Sequence, residues 1–172
     1  MIRKAALDAS VLQVFRMNDL DALDLRILDI IQEDAERSSE KIASEVGLSA
    51  SAVQRRVSRL KKDGVIEKIV ALVEPRSVGR TVTVLVEVEI DNERRSALEG
   101  FQRWVAEAPE VQSCWYVTGD ADYVLLVSTR DLDSYNAFID RLMKEQPVVR
   151  KYKSLIALKT IKRGLKIATD PD

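Results

Sequence analysis

The sequence predicts a two-domain α/β protein, in which a small three-helix unit precedes a β-α-β-β-α-β unit. Between positions 20 and 64, apolar residues recur at three- and four-residue steps, the period of a helix with one buried face. Thr81–Ile90 instead has an apolar residue at every second position, which is the period of a strand. A length of 172 residues fits two compact units of modest size.

Composition narrows the classes of function. The chain has no histidine, which excludes histidine general bases and imidazole metal ligands. Its single cysteine, Cys114, excludes an intramolecular disulfide and a thiolate zinc site, and we expect it to be a small buried hydrophobe. No apolar run reaches the roughly 18–20 residues of a membrane span. We therefore expect a cytoplasmic protein that is not an enzyme and that needs no metal or cofactor.

Residues 1–17 precede the first regular pattern and are assigned to an N-terminal extension. Their apolar run, Val11–Phe15, is too short and interrupted for a signal peptide. Two interpretations stay open. The segment is either an extra helix or loosely attached tail, or a product of an upstream start assignment, with Met17 as the true start.

Residues 18–64 are predicted to hold three helices. Asp21 and Asp24 lie where the first helix begins, and carboxylates there cap the backbone and favour the helix dipole. Gly47 and Gly64 are predicted to end the second and third helices in the left-handed conformation, and Ser49 to cap the third. The apolar stripe of the first helix consists of Leu20, Leu23, Ile27, Leu28 and Ile31.

The third predicted helix has the composition of a helix that reads DNA. Ser49–Lys62 contains five lysines and arginines and no acid, and its apolar residues fall on one side. Arginines and serines lie on the opposite side, and Gln54 lies on a flank. Arginine can bridge guanine, glutamine can bridge adenine, and serines suit phosphate oxygens. Arg56 lies closer to the apolar side, so we expect it to pair with an acid of the first helix. The predicted DNA-contacting residues are Ser49, Ser51, Gln54, Arg55, Ser58, Arg59 and Lys62.

Taken alone, such a stretch is more often a solvated basic face. Its context favours DNA binding, because two helices joined by Gly47–Ser49 after an upstream helix form a helix-turn-helix, whose second helix enters the major groove.

Residues 65–80 are predicted to be a β linker, with extended chain over Val65–Val73 and a turn over Pro75–Gly79.

Residues 81–162 are predicted to form the second unit, an antiparallel sheet with two helices over one face. The other face is expected to carry Leu85, Cys114 and Tyr116 and, being costly to expose to water, to form a sheet-to-sheet dimer. Residues 163–172 are expected to be a frayed, solvated tail rather than a segment that touches DNA phosphates. The predicted elements are strands Thr81–Ile90, Val111–Thr118, Ala121–Thr129 and Val148–Thr160 and helices over Glu93–Ala108 and after Asp131 or Asp133.

The Gly119-Asp120 turn between the two middle strands is a candidate ligand site. Glycine permits close approach to the backbone and leaves N–H groups available to a carboxylate. Asp120 and Asp122 can accept hydrogen bonds from an ammonium group. The turn thus offers both partners of a zwitterionic amino acid, but an ordinary hairpin turn fits these residues equally well.

Taken together, the order and spacing of these motifs resemble the Lrp/AsnC (feast/famine) family of transcriptional regulators, over about Leu20–Lys162. The resemblance implies an N-terminal winged helix-turn-helix domain that binds double-stranded DNA and a C-terminal ferredoxin-like domain that responds to an effector. It also implies homodimers formed through the sheet and assembly into tetramers or octamers. The residues that carry it are Leu20-Asp21, Asp24, Ile27-Leu28, Gly47-Leu48-Ser49, Val53, Arg56-Val57, Arg59-Leu60, Gly64-Val65-Ile66 and Val117–Tyr123.

The resemblance also implies which residues line an amino-acid site. The turn supplies Thr118, Gly119, Asp120, Asp122 and Tyr123, and the last strand supplies Arg150, Tyr152 and Ser154. Many members have Pro-Gly-Val where this chain has Pro147-Val148-Val149, and the bulk of Tyr152 reshapes the predicted pocket. The function predicted is therefore a sequence-specific regulator that responds to an amino acid or related metabolite. The alternative is a metabolite-sensing module that acts through a protein partner without DNA.

Overall fold

The structure, a computed structural model, describes residues 20–91 and 95–169, and this part of the chain forms two compact units. The helical unit consists of residues 20–72 and 162–169, and the sheet unit spans residues 73–161. The predicted extension, residues 1–17, lies outside the described residues. In the part of the chain that is described, no helix is long and apolar enough to cross a bilayer.

The helical unit contains α1 (Ala22–Glu33), α2 (Ser39–Val46) and α3 (Ala50–Lys62), as the apolar pattern predicts. Asp21 caps α1 through a reciprocal capping box with Asp24, whose N–H lies 2.8 Å from the Asp21 carboxylate. Gly47 ends α2 with a φ of 70°, a left-handed conformation that glycine adopts without strain. The core of the unit consists of Ile27, Ile42, Ala43, Val46 and Val53.

The predicted β linker forms no strand. Gly64 turns the chain after α3 with a φ of 75°, and the Ile66 N–H bonds back to the Leu60 carbonyl at 3.1 Å. Residues 67–74 are irregular, and Pro75–Val78 forms a 3-10 turn. The linker therefore contributes no sheet pairing within the described chain.

The sheet unit has the predicted β-α-β-β-α-β order. Its four strands pair antiparallel in the order β2-β3-β1-β4. Both middle strands are shorter than predicted, so the turn between them spans 117–122 instead of two residues. The elements are β1 (Val82–Ile90), α4 (Arg95–Glu107), β2 (Val111–Tyr116), β3 (Tyr123–Thr129), α5 (Leu132–Glu145) and β4 (Val149–Ile156).

The strand register assigns residues to the two faces of the sheet, and it corrects part of the prediction. The helices cover the face on which Cys114 packs against the core. On that same face, the centroid of the Tyr116 ring lies 5.0 Å from that of the Tyr123 ring, and the two rings are tilted. The prediction that Cys114 and Tyr116 lie on the open face is therefore wrong. Burial raises the pKa of the Cys114 thiol to about 11, so it stays protonated. The open face instead carries Leu85, Trp115, Val124, Leu126 and Leu155.

Candidate DNA-binding surface and effector site

One side of α3 is packed and the other is open, as the helical period predicts. Val53 is fully buried in the core that it shares with residues of α1 and α2, and Leu60 is fully buried as well. Gln54 and Arg55 point the other way and are exposed, and the Arg55 guanidinium has no ion pair with any described residue. The outward residues that line one shared surface depression are Ser51, Gln54, Arg55 and Ser58.

The first turn of α3 is ordered by its serines. The Ser49 hydroxyl accepts a hydrogen bond from the Ala52 N–H at 3.2 Å and lies 3.1 Å from the Ser51 hydroxyl. Both serines are exposed, and at this end of the helix the dipole favours an anion such as phosphate. Lys62, at the other end of α3, is exposed.

Behind α3 lies a buried carboxylate held by two arginines. Asp24 is fully buried, and its Oδ1 accepts a hydrogen bond from the Arg56 guanidinium at 2.8 Å. Arg59 pairs with its Oδ2, and Arg56 also reaches Asp21 at 2.7 Å. The Asp24 backbone N–H and then the Arg56 guanidinium hold the pKa of Asp21 below its usual value. Because a buried carboxylate requires compensating charge, these contacts join α1 to α3 at a defined position.

This cluster confirms one prediction and corrects another. Arg56 pairs with acids of the first helix, as predicted from its position near the apolar side. Arg59 was expected to point outward with Arg55, but it is turned back to Asp24, although about half of its side chain (47%) remains exposed. The Asp24 carboxylate already balances the charge of this guanidinium within the protein, so Arg59 does not need a DNA phosphate as its partner.

In the sheet unit, Asp122 closes the β2–β3 turn. Its carbonyl accepts from the Val117 N–H and its N–H donates to the Val88 carbonyl, both at 2.9 Å. Its carboxylate accepts from the Ile90 N–H at 2.8 Å. Asp122 is therefore engaged with the backbone of β1. Thr118, Gly119 and Asp120 are the exposed residues of the turn that the prediction included, and Gly119 has a φ of 132°.

Two predicted effector residues have partners in the core side of the sheet. Tyr123 is buried, packs at 4.9 Å on Phe101, and its hydroxyl accepts a hydrogen bond from Gln102 at 2.9 Å. The Ser154 hydroxyl lies 2.5 Å from the Tyr135 hydroxyl of α5. Tyr123 is thus a core residue rather than a wall of an open site, and Ser154 binds a helix side chain.

The remaining predicted residues meet at one end of β1. Arg150 pairs with Glu89 and, at 3.0 Å, with Asp91, and Tyr152 lies opposite Val88 in the register. Asp122 bonds the same end of β1, so the turn and the start of β4 converge there. Lys151 first, and Arg150 in addition, hold the pKa of the Glu89 carboxyl below its usual value.

Sequence reasoning missed the acidic partners of the last strand. Glu87 pairs with Lys153 at 3.3 Å and Glu89 with Lys151 at 3.0 Å across β1 and β4. Alternating glutamates in one predicted strand and alternating cations in another were a usable signal, because opposite charges favour direct cross-strand positions.

The two units define a class of protein: a helix-turn-helix unit, the architecture of DNA-binding proteins, joined to an α/β unit with a four-stranded antiparallel sheet. A family model described as winged helix-turn-helix DNA-binding matches residues 20–67, and one described as the Lrp/AsnC ligand binding domain matches residues 83–167. The protein belongs to the Lrp/AsnC family and is a DNA-binding transcriptional regulator. This confirms the predicted family and fold class.

Related proteins agree with this assignment. The chain is 40% identical over 147 residues to an uncharacterised HTH-type transcriptional regulator of Haemophilus influenzae, covering 86% of this chain and 88% of the relative. A solved AsnC family regulator from Agrobacterium tumefaciens has a TM-score of 0.81 at 35% identity, covering 86% of this chain and 96% of that one. A Neisseria meningitidis regulator solved in complex with L-Met has a TM-score of 0.80 at 30% identity, with the same two coverages.

Proposed function

We propose that this regulator reads specific DNA sequences with Gln54 and Arg55 and responds to an amino acid that binds beside the β2–β3 turn. The exposed, unpaired Arg55 guanidinium within the described chain carries the first part of the proposal. Its fork geometry matches the O6 and N7 acceptors of guanine in the major groove, and the neighbouring Gln54 matches adenine.

The other outward residues of α3 suit the DNA backbone. Ser49, Ser51 and Ser58 offer hydroxyls, and Lys62 offers a charge, all at the exposed surface. Arg59 is left out of this set, because Asp24 already holds its guanidinium. In this proposal Arg59 positions α3 against α1, and its contribution to DNA binding is indirect.

For the effector, the exposed part of the turn offers complementary groups. Backbone N–H groups around Gly119 suit a carboxylate, and the Asp120 carboxylate suits an ammonium group. Arg150 and Tyr152 supply the neighbouring wall at the end of β1. A related regulator was solved with L-Met, and another relative is named a leucine-responsive regulatory protein. These relatives support an amino acid as the ligand class.

The open sheet face supports a homodimer. Trp115 is 51% exposed and Leu155 41%, on a face that also carries Leu85, Val124 and Leu126. Covering this apolar surface with a second copy removes it from water and pairs two DNA-binding units. In a two-fold dimer, two α3 helices would enter successive major grooves about 34 Å apart on a pseudo-palindromic site. Tetramers or octamers would extend this arrangement along the DNA. In this proposal the protein acts in the cytoplasm.

Footprinting of the purified protein on genomic DNA, with and without a panel of amino acids, tests the proposal. We expect protected sites made of two half-sites, and a change of occupancy with at least one amino acid. Failure to bind any DNA at low ionic strength would contradict the regulatory function. It would favour the sensing module that acts through a protein partner.

A further inference from the structure

After its last strand, the chain returns to the helical unit and contacts the solvent-facing side of α1. The Lys166 ammonium lies 2.7 Å from the Asp29 carboxylate and 2.7 Å from the Glu33 carboxylate. These two hydrogen-bonded carboxylates raise the pKa of Lys166 above its usual value. The tail is thus bound to a helix, whereas its sequence suggested a frayed end.

A second contact reads the tail backbone. The Gln32 amide donates to the Ile167 carbonyl at 3.0 Å and accepts from the Ile167 N–H at 2.8 Å. One side-chain amide therefore satisfies both polar backbone groups of a single residue, as a neighbouring strand would. The Ile167 side chain itself is 73% exposed, so its apolar surface contributes little to the contact.

The α1 side of this contact is a single helix face. Asp29, Gln32 and Glu33 are three and four residues apart, which brings their side chains together. An extended segment with a lysine followed by any residue fits this face, because the carboxylates bind the cation and the amide binds the next backbone unit.

We propose that this face of α1 is a docking site for the C-terminal segment of the same chain, and that the docked segment forms a second connection to the DNA-binding unit. The first connection is the linker that follows α3. With two connections, the DNA-binding unit has less freedom to lose when it binds, which favours simultaneous binding of two half-sites. This consequence rests on the proposed dimeric DNA complex, but the docking itself does not.

Hydrogen exchange of the full-length protein, followed by NMR, tests the docking. We expect the Ile167 amide to exchange about tenfold more slowly than in Gln32→Ala, which loses both hydrogen bonds. Gln32→Glu keeps the acceptor but loses the donor, so its protection should be intermediate. Equal exchange of Ile167 in the wild type and in Gln32→Ala would overturn the proposal.

Charge reversal separates the ion pairs from a general effect of tail charge. Lys166→Glu should abolish the protection of Ile167, whereas Lys162→Glu makes the same charge change in the same segment and should leave the protection unchanged. The triple variant Lys166→Glu/Asp29→Lys/Glu33→Lys should restore it. If the triple variant, folded by circular dichroism, restores nothing, Lys166 does not dock on these carboxylates.

A mixed dimer identifies the chain that supplies the tail. One chain carries Lys166→Glu, and the other carries Asp29→Lys/Glu33→Lys. In the mixed dimer, opposite charges meet only when each tail docks on the other chain. We expect no restored protection, and restoration in the mixture would overturn docking within one chain.

Binding to DNA tests the second connection. Removal of residues 162–172 should weaken binding to a two-half-site operator by about three- to tenfold and leave binding to a single half-site unchanged. Equal losses on both DNAs would show that the tail contacts DNA and would contradict its role as a connection. If the wild type binds neither DNA, the proposed function fails while the exchange experiment still decides the docking.

Discussion

The outward face of α3 and the β2–β3 turn are the two candidate binding surfaces, and they differ in how their residues are used. On α3, Gln54 and Arg55 are exposed and are proposed to contact DNA, and the inward residues Val53 and Val57 pack in the helical unit. In the turn, Asp122 and the adjoining Tyr123 are bound by the protein itself. A helix surface separates structural from binding residues by its period, whereas a strand end mixes them within a few positions.

The largest effect is expected from a substitution in the ion-pair cluster of Asp24, Arg56 and Arg59 behind α3. Asp24→Asn removes the charge that compensates Arg56 and Arg59 but keeps the shape of the side chain. We expect the free energy of unfolding of the helical unit to fall by about 2–4 kcal/mol. Hydrogen exchange of the peptides that cover α1 and α3 measures this loss. The tryptophans, Trp104 and Trp115, lie in the sheet unit, so their fluorescence serves as the control and should not change.

Next in size is the loss of base reading from the outward face. Arg55→Ala should cost about 1–3 kcal/mol in binding to the specific site and much less on random DNA. Fluorescence anisotropy on both DNAs measures the difference. Lys61→Ala is a matched control that removes one exposed cation from the same helix without a predicted base contact. A loss for Arg55→Ala that is equal on the two DNAs would contradict base reading.

In the turn, neighbouring aspartates should separate binding from stability. Asp120→Ala should weaken binding of the amino acid and leave stability unchanged, because Asp120 is exposed. Asp122→Ala should instead destabilise the sheet unit by about 1 kcal/mol, because the Ile90 N–H loses its acceptor. Calorimetric titration and thermal unfolding measure the two effects. Unchanged ligand affinity in Asp120→Ala would remove the turn from the site.

A smaller effect distinguishes the cations of α3 by salt dependence. Lys62→Ala should reduce the slope of log K against log salt concentration by about 0.9, which corresponds to one phosphate contact. Arg59→Ala should reduce it by much less, because Asp24 holds that guanidinium. Titrations at four salt concentrations measure both slopes. If Arg59→Ala reduced the slope by as much as Lys62→Ala does, Arg59 would be a phosphate contact after all.

The smallest effect is a pH dependence of the helical unit. Asp21 has a lowered pKa in the folded state, so its stabilising contribution is complete above its unfolded value of about 3.9 and is lost as the pH falls through the folded value. Stability measured by urea unfolding should fall more steeply below pH 4 in the wild type than in Asp21→Asn. Parallel curves for the two proteins would show that Asp21 does not contribute.

Local sequence patterns were sufficient to predict the helices, the strands and most of the helix caps of this protein. Asp21 and Ser49 cap helices as predicted, and Gly47 ends α2 in the predicted conformation. Of the two predicted candidates for the cap of α5, Asp131 and Asp133, the structure selects Asp131. Each of these features depends on hydrogen bonds between residues a few positions apart, so the sequence pattern contains the information. The packed and open sides of α3 follow from the same local period.

The faces of the sheet were predicted less well. Cys114 and Tyr116 were assigned to the open face, but the register places Trp115 there. Adjacent strand residues point to opposite faces, so an error of one position exchanges the faces for every residue of the strand. Only the pairing of β2 with β3 decides between the two.

The amino-acid sequence by itself determined the family, the order of the elements and the outward direction of Arg55. Tertiary structure alone decided that Arg59 turns to Asp24, that Tyr123 joins the core, and that Lys166 reaches α1. The partners in these contacts are separated by 35 and 133 residues in the cases of Arg59–Asp24 and Lys166–Glu33. Such contacts depend on where the packed elements bring distant side chains together, and no local period encodes those positions.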